Sequence, residues 1–493
     1  MDTYILAIDA GTTSSRAIVF DKNGQQISMA QFEFPQLYPQ KSWVEHNPIT
    51  IWETQHKAIQ KALANANLSA TSISAIGITN QRETTVVWNR TTGQPVYNAI
   101  VWQDRRTAAH CDKLEQNGYG PMIYEKTGLL LDAYFSATKI QWILDQDPII
   151  RQAAENDELA FGTIDSWLIW NLTKGKHHIT DATNASRTLL FDIHNQQWDT
   201  ELLDLFKIPR GLLPAVVDSA QHIGTTDASV LGAEIPISGI AGDQQAALFG
   251  QLCTEIGDVK NTYGTGCFCI MNTGEKAVQS NNRLLTTVGY RIHGKTTYAL
   301  EGSVFIAGAL VQWLRDQLGM IQTAAEIEEL AKSVTDNGGV CFIPALSGLA
   351  APYWDPHATG NLSGITRDTN KGHIGRAALE AIALRTYEVI IAMEKDAGNS
   401  FKALKVDGGA STNNLLMQIQ SDLLNKEVIR PKTTETTALG AAFLAGLGIG
   451  LWKDEKALKD LWQKDHVFKP QSPDQAREIL DLWRKNMSKI LNT

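Results

Sequence analysis

Tyr4-Ile-Leu-Ala-Ile-Asp9-Ala-Gly-Thr-Thr-Ser-Ser-Arg16-Ala-Ile-Val-Phe20-Asp21-Lys-Asn-Gly24 is the stretch on which the reading of this chain turns. An apolar strand ends in one aspartate, a small-residue turn follows, and a second strand runs into Asp21-Lys-Asn-Gly24. Such a hairpin has the composition of a phosphate and metal holder. A carboxylate at Asp9 can hold Mg²⁺ through water. The turn offers backbone N–H groups and hydroxyls to a polyphosphate, and Arg16 adds positive charge. No G-x-x-x-x-G-K-[ST] occurs in the sequence, so this is not a Walker loop. Taken alone, the stretch also reads as an ordinary two-stranded unit with a polar turn, and its neighbours have to decide.

A chain of 493 residues is too long for one core and suits two domains. Its 43% apolar and 20% charged content is that of a soluble globular protein. The net charge of -9 argues against a nucleic-acid or anionic-membrane partner, and an anionic substrate would need local cations. Five scattered cysteines fit a reducing compartment better than a disulfide framework, and Cys267 and Cys269 read as strand residues. Met1-Asp-Thr leads directly into the first strand without a charged n-region or apolar h-region, and no apolar run approaches a membrane span. The expectation is a cytoplasmic two-domain protein with no membrane insertion.

Strands and helices interleave from end to end, which predicts an α/β architecture. A helix is expected from Pro48 to Asn65, with Asn47 as N-cap and Pro48 as first helical residue. Ser74–Thr79, Thr84–Trp88, Asn98–Trp102 and Pro236–Ala241 read as strands, and Thr138–Asp145 and Ser166–Asn171 as helices. After Gly250 the pattern restarts: Asp258-Val-Lys-Asn-Thr-Tyr-Gly264-Thr265-Gly266-Cys-Phe-Cys is again strand, Gly/Thr turn, strand. A later strand, Ala403–Asp407, breaks into Gly408-Gly-Ala-Ser-Thr-Asn413 and then a helix. The pattern predicts an internal duplication, with the boundary between Gly250 and Gly257 and the two halves facing each other across a cleft. The tail from Lys453, with amphipathic Ala476–Leu491, reads as a surface helix.

Ligands of open α/β sheets gather at the carboxyl ends of strands, so the three Gly/Thr/Ser turns could converge on one nucleotide. Each could equally just close a hairpin or end a strand. Asp243 follows an apolar strand and precedes a small-residue helix, a place where a carboxylate can accept a hydroxyl proton or simply cap the helix. Arg82 and Glu83, after another buried strand, set a forked donor beside an acceptor, as a polyol's hydroxyls require. The plainer reading of that pair is an exposed ion pair.

Together, Ile8–Arg16, Gly77–Trp88, Ile240–Gln251, Thr262–Phe268 and Val406–Ala410 resemble the motifs of the FGGY carbohydrate kinases. Within that family they are similar to its glycerol-phosphorylating members. Phe161–Asp165, Thr183–Arg187 and Ala351–Asp355 fill the intervals, and the likeness runs from Tyr4 to Trp452. The resemblance implies two duplicated actin-like (ribonuclease-H-like) ATPase domains flanking a cleft. Residues 1–250 would carry the polyol site and phosphate hairpin, and 251–493 the nucleotide site. It implies the reaction ATP + glycerol → ADP + sn-glycerol 3-phosphate, dependent on Mg²⁺, in a homo-oligomer (dimer or tetramer).

By the same resemblance, Thr12, Thr13 and Ser14 would meet the ATP phosphates with Arg16 beside them. Thr265, Gly308, Gln312, Gly409 and Asn413 would line the rest of the nucleotide site. Asp9 would hold Mg²⁺, joined by Asp243. Arg82, Glu83, Tyr134, Asp243 and Gln244 would bind the glycerol hydroxyls, Trp102 and Phe268 would pack on its carbons, and Asp243 would be the general base. Two alternatives share much of this pattern: a kinase for another polyol or ketose such as xylulose, and a chaperone-like or filament-forming ATPase of the same fold.

The sequence also departs from the family. Asp9-Ala10 stands where the family has Asp-Gln, removing one polar side chain beside the phosphate turn. Asp227-Ala-Ser-Val-Leu-Gly-Ala-Glu234 replaces the Gly-rich basic loop that binds fructose 1,6-bisphosphate in some members, so no inhibition by that route is expected. The regulatory histidine of other members also has no counterpart between Ile223 and Asp243, with His222 the nearest.

Overall fold

The computed structural model describes residues 3–355 and 357–491. Tyr4–Ala10 (β1) and Ser14–Asp21 (β2) pair antiparallel, with Asp9 opposite Arg16. All of β1 after Tyr4 is buried, as a central strand covered on both faces should be. Gln26–Glu33 (β3), Ile73–Asn80 (β4), Ala220–Thr225 (β5) and Pro236–Gly242 (β6) complete a six-stranded sheet in the order β5-β6-β4-β1-β2-β3. The helix Pro48–Asn65 (α1) begins as its sequence demands, with the Asn47 side chain accepting from the N–H groups of Ile49 and Thr50. It buries Ile51, Ala58, Ile59 and Ala62 in the core shared with Leu6, Ile8 and Val19 of the sheet. Asp243–Gly250 (α2) follows β6 without a break.

The second half repeats this plan. Its strands are Val259–Tyr263 (β7), Cys267–Gly274 (β8), Leu285–Ile292 (β9), Lys295–Val304 (β10), Ala403–Asp407 (β11), Glu427–Pro431 (β12) and Lys464–Phe468 (β13). They lie in the order β9-β10-β8-β7-β11-β12-β13. The hairpin β7-β8 stands where β1-β2 does: each first strand pairs antiparallel with the next and parallel with a later strand, β4 or β11. Gly308–Asp316 (α3), Lys371–Ala397 (α4) and Asn414–Leu424 (α5) belong to this half. The sequence signal of duplication is therefore carried by matching sheet orders, with β9 as an added edge.

Thr436–Gly448 (α6) crosses to the other half. Its Ala438, Ala442 and Phe443 share one core with Ile5, Ala7, Ile18 and Phe20 of the first sheet. That approach needs glycine. A Cβ on Gly440 would lie 1.8 Å from the carbonyl oxygen of Ala246, and one on Gly77 would lie 2.1 Å from that of Ala441.

Some expectations need correction. The expected strands Thr84–Trp88 and Asn98–Trp102 shrink to Val86–Asn89 and Ala99–Ile100. Glu83 takes φ +60° in the turn that follows the strand ending at Asn80, as its expected place at a strand end requires. The C-terminal tail is more than a surface helix. β13 adds an edge to the second sheet, and the helix Pro473–Leu491 (α7) buries Ala476, Ile479, Trp483 and Met487 in the core of that half. Among the described residues no helix is long and apolar enough to cross a membrane. All five cysteines are free and buried.

Candidate active site

The Arg82-Glu83 pair is buried rather than exposed, with side chains 2% and 1% accessible. Arg82 grips Glu301 with both outer nitrogens, Nη1 to Oε2 at 2.5 Å and Nη2 to Oε1 at 3.0 Å. Its Nε lies 3.2 Å from Asp243 Oδ1 and 3.8 Å from Glu83 Oε1. Glu83 is held in turn by Arg187, whose Nε donates to Oε1 at 2.6 Å. Burial pushes the Glu83 carboxyl up, against the pull of Arg187 and Arg82. Tyr134 brings its hydroxyl to 3.4 Å from Arg82 Nη2, and burial pushes its ionisation well up, which keeps it a neutral phenol. The rings of Trp102 and Tyr134 meet edge-on at 5.6 Å and those of Trp102 and Phe268 at 6.4 Å. This is a thin aromatic wall beside paired donors and acceptors, chemistry suited to a small polyol.

Asp243 opens α2 at the carboxyl end of β6, a third exposed, with Oδ1 accepting from the Gln244 N–H at 2.7 Å. Burial raises its pKa, opposed by Arg82 and Lys260, and Asp9 adds to the rise. Lys260 on β7 is fully buried. Its Nζ donates to Gln244 Oε1 at 2.5 Å and Thr262 Oγ1 at 2.7 Å. The carbonyl end of Gln244 is therefore already engaged, which leaves its amide N–H groups to face a ligand.

The first turn lies next to the aromatic wall, because Trp102 Nε1 donates to Thr12 Oγ1 at 3.0 Å. Behind the turn, Gln36 Nε2 donates to the Thr12 carbonyl at 3.1 Å and Gln81 Nε2 to the Gly11 carbonyl at 3.1 Å. Between the two glutamines sits buried His46, 2.6 Å from Gln36 Oε1, its pKa pushed down to about 4 by burial. With its carbonyls tied back, the turn is stiffened from behind, as a preorganised anion cradle should be. Thr13 lies at the turn and is exposed, whereas Ser14 begins β2 and accepts from Gln31 Nε2 at 2.9 Å. Arg16 spans two carboxylates at 2.6 Å each, Asp9 and Glu435, and Asp9 is the main cause that raises its pKa.

In the second half, the Gly264-Thr265-Gly266 turn caps α3. The Gly264 carbonyl accepts from Gly308 N, and that of Thr265 from Ala307 N and Ala309 N. A Cβ on Gly308 would lie 2.6 Å from the Gly264 oxygen. Gly408, at φ +82°, brings the third turn against Tyr263, while a Cβ on Gly409 would meet nothing within 4 Å. Backbone can therefore be approached closely at Gly409. Asn413 caps α5 by accepting from Leu416 N, and Gln312 is exposed on α3. Asp407 ends β11 buried, its Oδ2 accepting from Gln251 Nε2 and Thr436 Oγ1.

The FGGY N-terminal domain model for carbohydrate kinases matches residues 4–250, and the C-terminal domain model matches 259–449. The chain belongs to the FGGY family of carbohydrate kinases. Among its relatives, glycerol kinase of Dichelobacter nodosus is 57% identical over 487 residues, covering 98% of each chain. That of Burkholderia multivorans is 58% identical over 477 residues, covering 97% of this chain and 95% of the other. A crystal structure of Plasmodium falciparum glycerol kinase with ADP superposes with TM-score 0.93 at 36% identity, covering 99% of this chain and 98% of the other. A ligand-bound xylulose kinase from Lactobacillus acidophilus, 23% identical with TM-score 0.89 over 99% and 97% of the two chains, shares the fold. The actin-like two-domain architecture expected from the sequence is thus that of the FGGY kinases.

Several residues of this FGGY site were not singled out from sequence. Glu301 is a lone charge inside the apolar run Tyr298-Ala-Leu-Glu301-Gly, whereas Lys260 sits in the mixed strand Val259-Lys260-Asn-Thr-Tyr263. A buried charge must be paired or hydrogen-bonded, so an isolated charge within an apolar run is the signal that could have found Glu301. Glu435 and Arg187 carried no comparable signal, since their partners Arg16 and Glu83 are distant in sequence.

Proposed function

We propose that this kinase transfers the γ-phosphoryl group of ATP to a terminal hydroxyl of glycerol, giving ADP and sn-glycerol 3-phosphate. The observation that carries the reading is the convergence of Asp243 with Arg82, Glu83 and the Trp102–Tyr134–Phe268 wall. The glycerol kinase relatives along the full chain support it. In this reading Arg82, Glu83, Tyr134 and Gln244 orient the triol. The Asp243 carboxylate takes the hydroxyl proton as the oxygen–γ-phosphorus bond forms and the bond to the ADP oxygen breaks. Thr12, Thr13, Ser14 and Thr265 bind phosphates, and Gly308, Gln312, Gly409 and Asn413 line the nucleotide.

Among the described residues no group of three or more His, Cys, Asp or Glu forms a protein cage for a metal. That fits Mg²⁺, which is held by one or two carboxylates plus water and phosphate oxygens. Asp9 and Asp243 would hold it, and it would supply positive charge to the phosphates. A coupled ADP-release assay over glycerol, dihydroxyacetone, erythritol and xylulose tests the reading. The highest kcat/KM is expected with glycerol, and ADP release independent of any polyol would refute it.

A further inference from the structure

Four fully buried charges form a closed ring behind the polyol site. Arg82 binds Glu301 (2.5 and 3.0 Å), Glu301 binds Arg187 (3.0 Å), Arg187 binds Glu83 (2.6 Å), and Glu83 lies 3.8 Å from Arg82 Nε. Three members belong to the first half. Glu301 alone comes from the second, from the middle of β10, where its strand neighbours are Ile270 and Leu285. Its carboxylate accepts from both arginines, and buried Lys260 adds a third positive charge nearby.

We propose that Glu301 is a positioning residue of the polyol site, fixing the guanidinium of Arg82 from the opposite half so that its Nε edge stays directed at Glu83 and Asp243. This rests on the glycerol reading above. The fork-to-fork geometry fixes the plane of the guanidinium as well as its place. Without the Glu301 carboxylate, Arg82 and Arg187 would compete for Glu83. Arg82 would keep only the longer, uncharged contacts of its outer nitrogens, to Gln245 Oε1 at 3.2 Å and the Tyr134 hydroxyl at 3.4 Å, which hold it less firmly against a turn onto its nearest remaining acid, Asp243, 3.2 Å from Nε. The polyol would then meet a misaligned donor and a masked acceptor. The phosphate turns lie outside the ring, so nucleotide binding should be spared.

The test compares Glu301→Gln, which keeps the shape and deletes the charge, with Glu301→Asp and with the charge-balanced double variant Arg187→Gln/Glu301→Gln. Losing hydrogen bonds to a charged group predicts a glycerol KM raised on the order of 10–100-fold in Glu301→Gln, with the ATP KM within about twofold of wild type. Glu301→Asp should recover part of the loss. The double variant should regain melting temperature relative to Glu301→Gln while keeping the raised glycerol KM, because Arg82 still lacks its clamp. A glycerol KM within about twofold of wild type in folded Glu301→Gln overturns the proposal. So does a KM that recovers together with melting temperature in the double variant. If both Gln variants lose wild-type circular dichroism, the ring serves folding and the positioning role is refuted. Wild-type protein without glycerol-dependent ADP release would instead sink the underlying reading, which the variants leave untouched.

Discussion

The crossing of α2 and α6 invites a substitution that should act with opposite signs in two similar helices. In an exposed helix interior, Gly→Ala stabilises by about 1 kcal/mol through backbone entropy. At Gly440 the added Cβ would lie 1.8 Å from the Ala246 carbonyl oxygen, 2.7 Å from its carbon and 2.9 Å from Gly250 N. All three are backbone atoms of α2, which cannot swing aside, so the helices must part by roughly 1 Å in a close-packed interior. Overpacking of that kind costs about 1–3 kcal/mol, which outweighs the propensity gain. At Gly375 in α4 the same methyl meets only side-chain carbons of Ile327 and Leu330 at 3.3 Å, so Gly375→Ala should fall near neutral or stabilise slightly. Because α2 starts with Asp243, parting the crossing also shifts the proposed base against the second half. A displacement of about 1 Å can cost on the order of 10²-fold in turnover. Denaturant unfolding and glycerol-dependent ADP release on both variants give the measurement. Gly440→Ala that matches or exceeds wild-type stability with unchanged kcat would refute the reasoning.

Three further outcomes follow from charges in the core and cleft. Asp243→Asn should lower kcat on the order of 10²–10⁴-fold while the protein still binds glycerol in a direct titration; turnover within a few fold of wild type removes it as the base. His46, ordinarily near 6.5 and pushed down to about 4 by burial, binds its proton later in the folded state than in the unfolded one. Stability should therefore fall as pH drops through that window, by up to on the order of 3 kcal/mol, and His46→Gln should flatten this acid limb. Denaturation curves at pH 7, 6, 5 and 4 that stay parallel for the two proteins would contradict this. Asp165 has the opposite sign: burial pushes its carboxyl from 3.8 up to about 7, against the hydrogen bonds from Thr163 and Thr180. The folded state then holds a proton that the unfolded state releases, a contribution present below pH 3.8 and lost as pH rises to about 7. Asp165→Asn should gain on wild type as pH rises across that range, and a pH-independent difference in denaturation midpoint would rule this out.

Local rules made much of this readable. The Asn47-Pro48 start of α1, the buried strand Ala403–Asp407 and the opening hairpin stand where capping, alternation and turn chemistry put them. The sidedness of Arg82 and Glu83 was harder, because polar neighbours on both sides suggest an exposed loop. The structure buries them only because Arg187 and Glu301 arrive from 104 and 219 residues away in sequence. Long-range charge pairing of this kind leaves no periodic trace. The C-terminal tail fails for a related reason. Lys464–Phe468 is polar because it is an edge strand, and the apolar stripe of α7 shows its value only once the core of the second half is there to receive it.

Matching sheet orders carry unequal chemistry, and the inequality explains why one cleft serves two halves. The first hairpin presents Asp9, and its counterpart presents Gly264-Thr265-Gly266 with no acid. Asp243 opens the helix after β6. At the corresponding place, Glu435 stands at the N-cap position of the helix that follows β12, with its side chain turned to Arg16 instead of the helix N–H groups. Glu435 reaches across to Arg16 and thereby to Asp9, and Glu301 reaches across to Arg82 and thereby to Asp243. In both cases an acid of the second half fixes an arginine of the first, and that arginine touches an aspartate to which the chemistry is assigned. A lone first half would leave both arginines without these partners, and a lone second half would leave the Glu435 and Glu301 carboxylates without their counter-charges. The duplicated halves are thus joined through charge as well as through the α2–α6 crossing, and the proposed site draws on both.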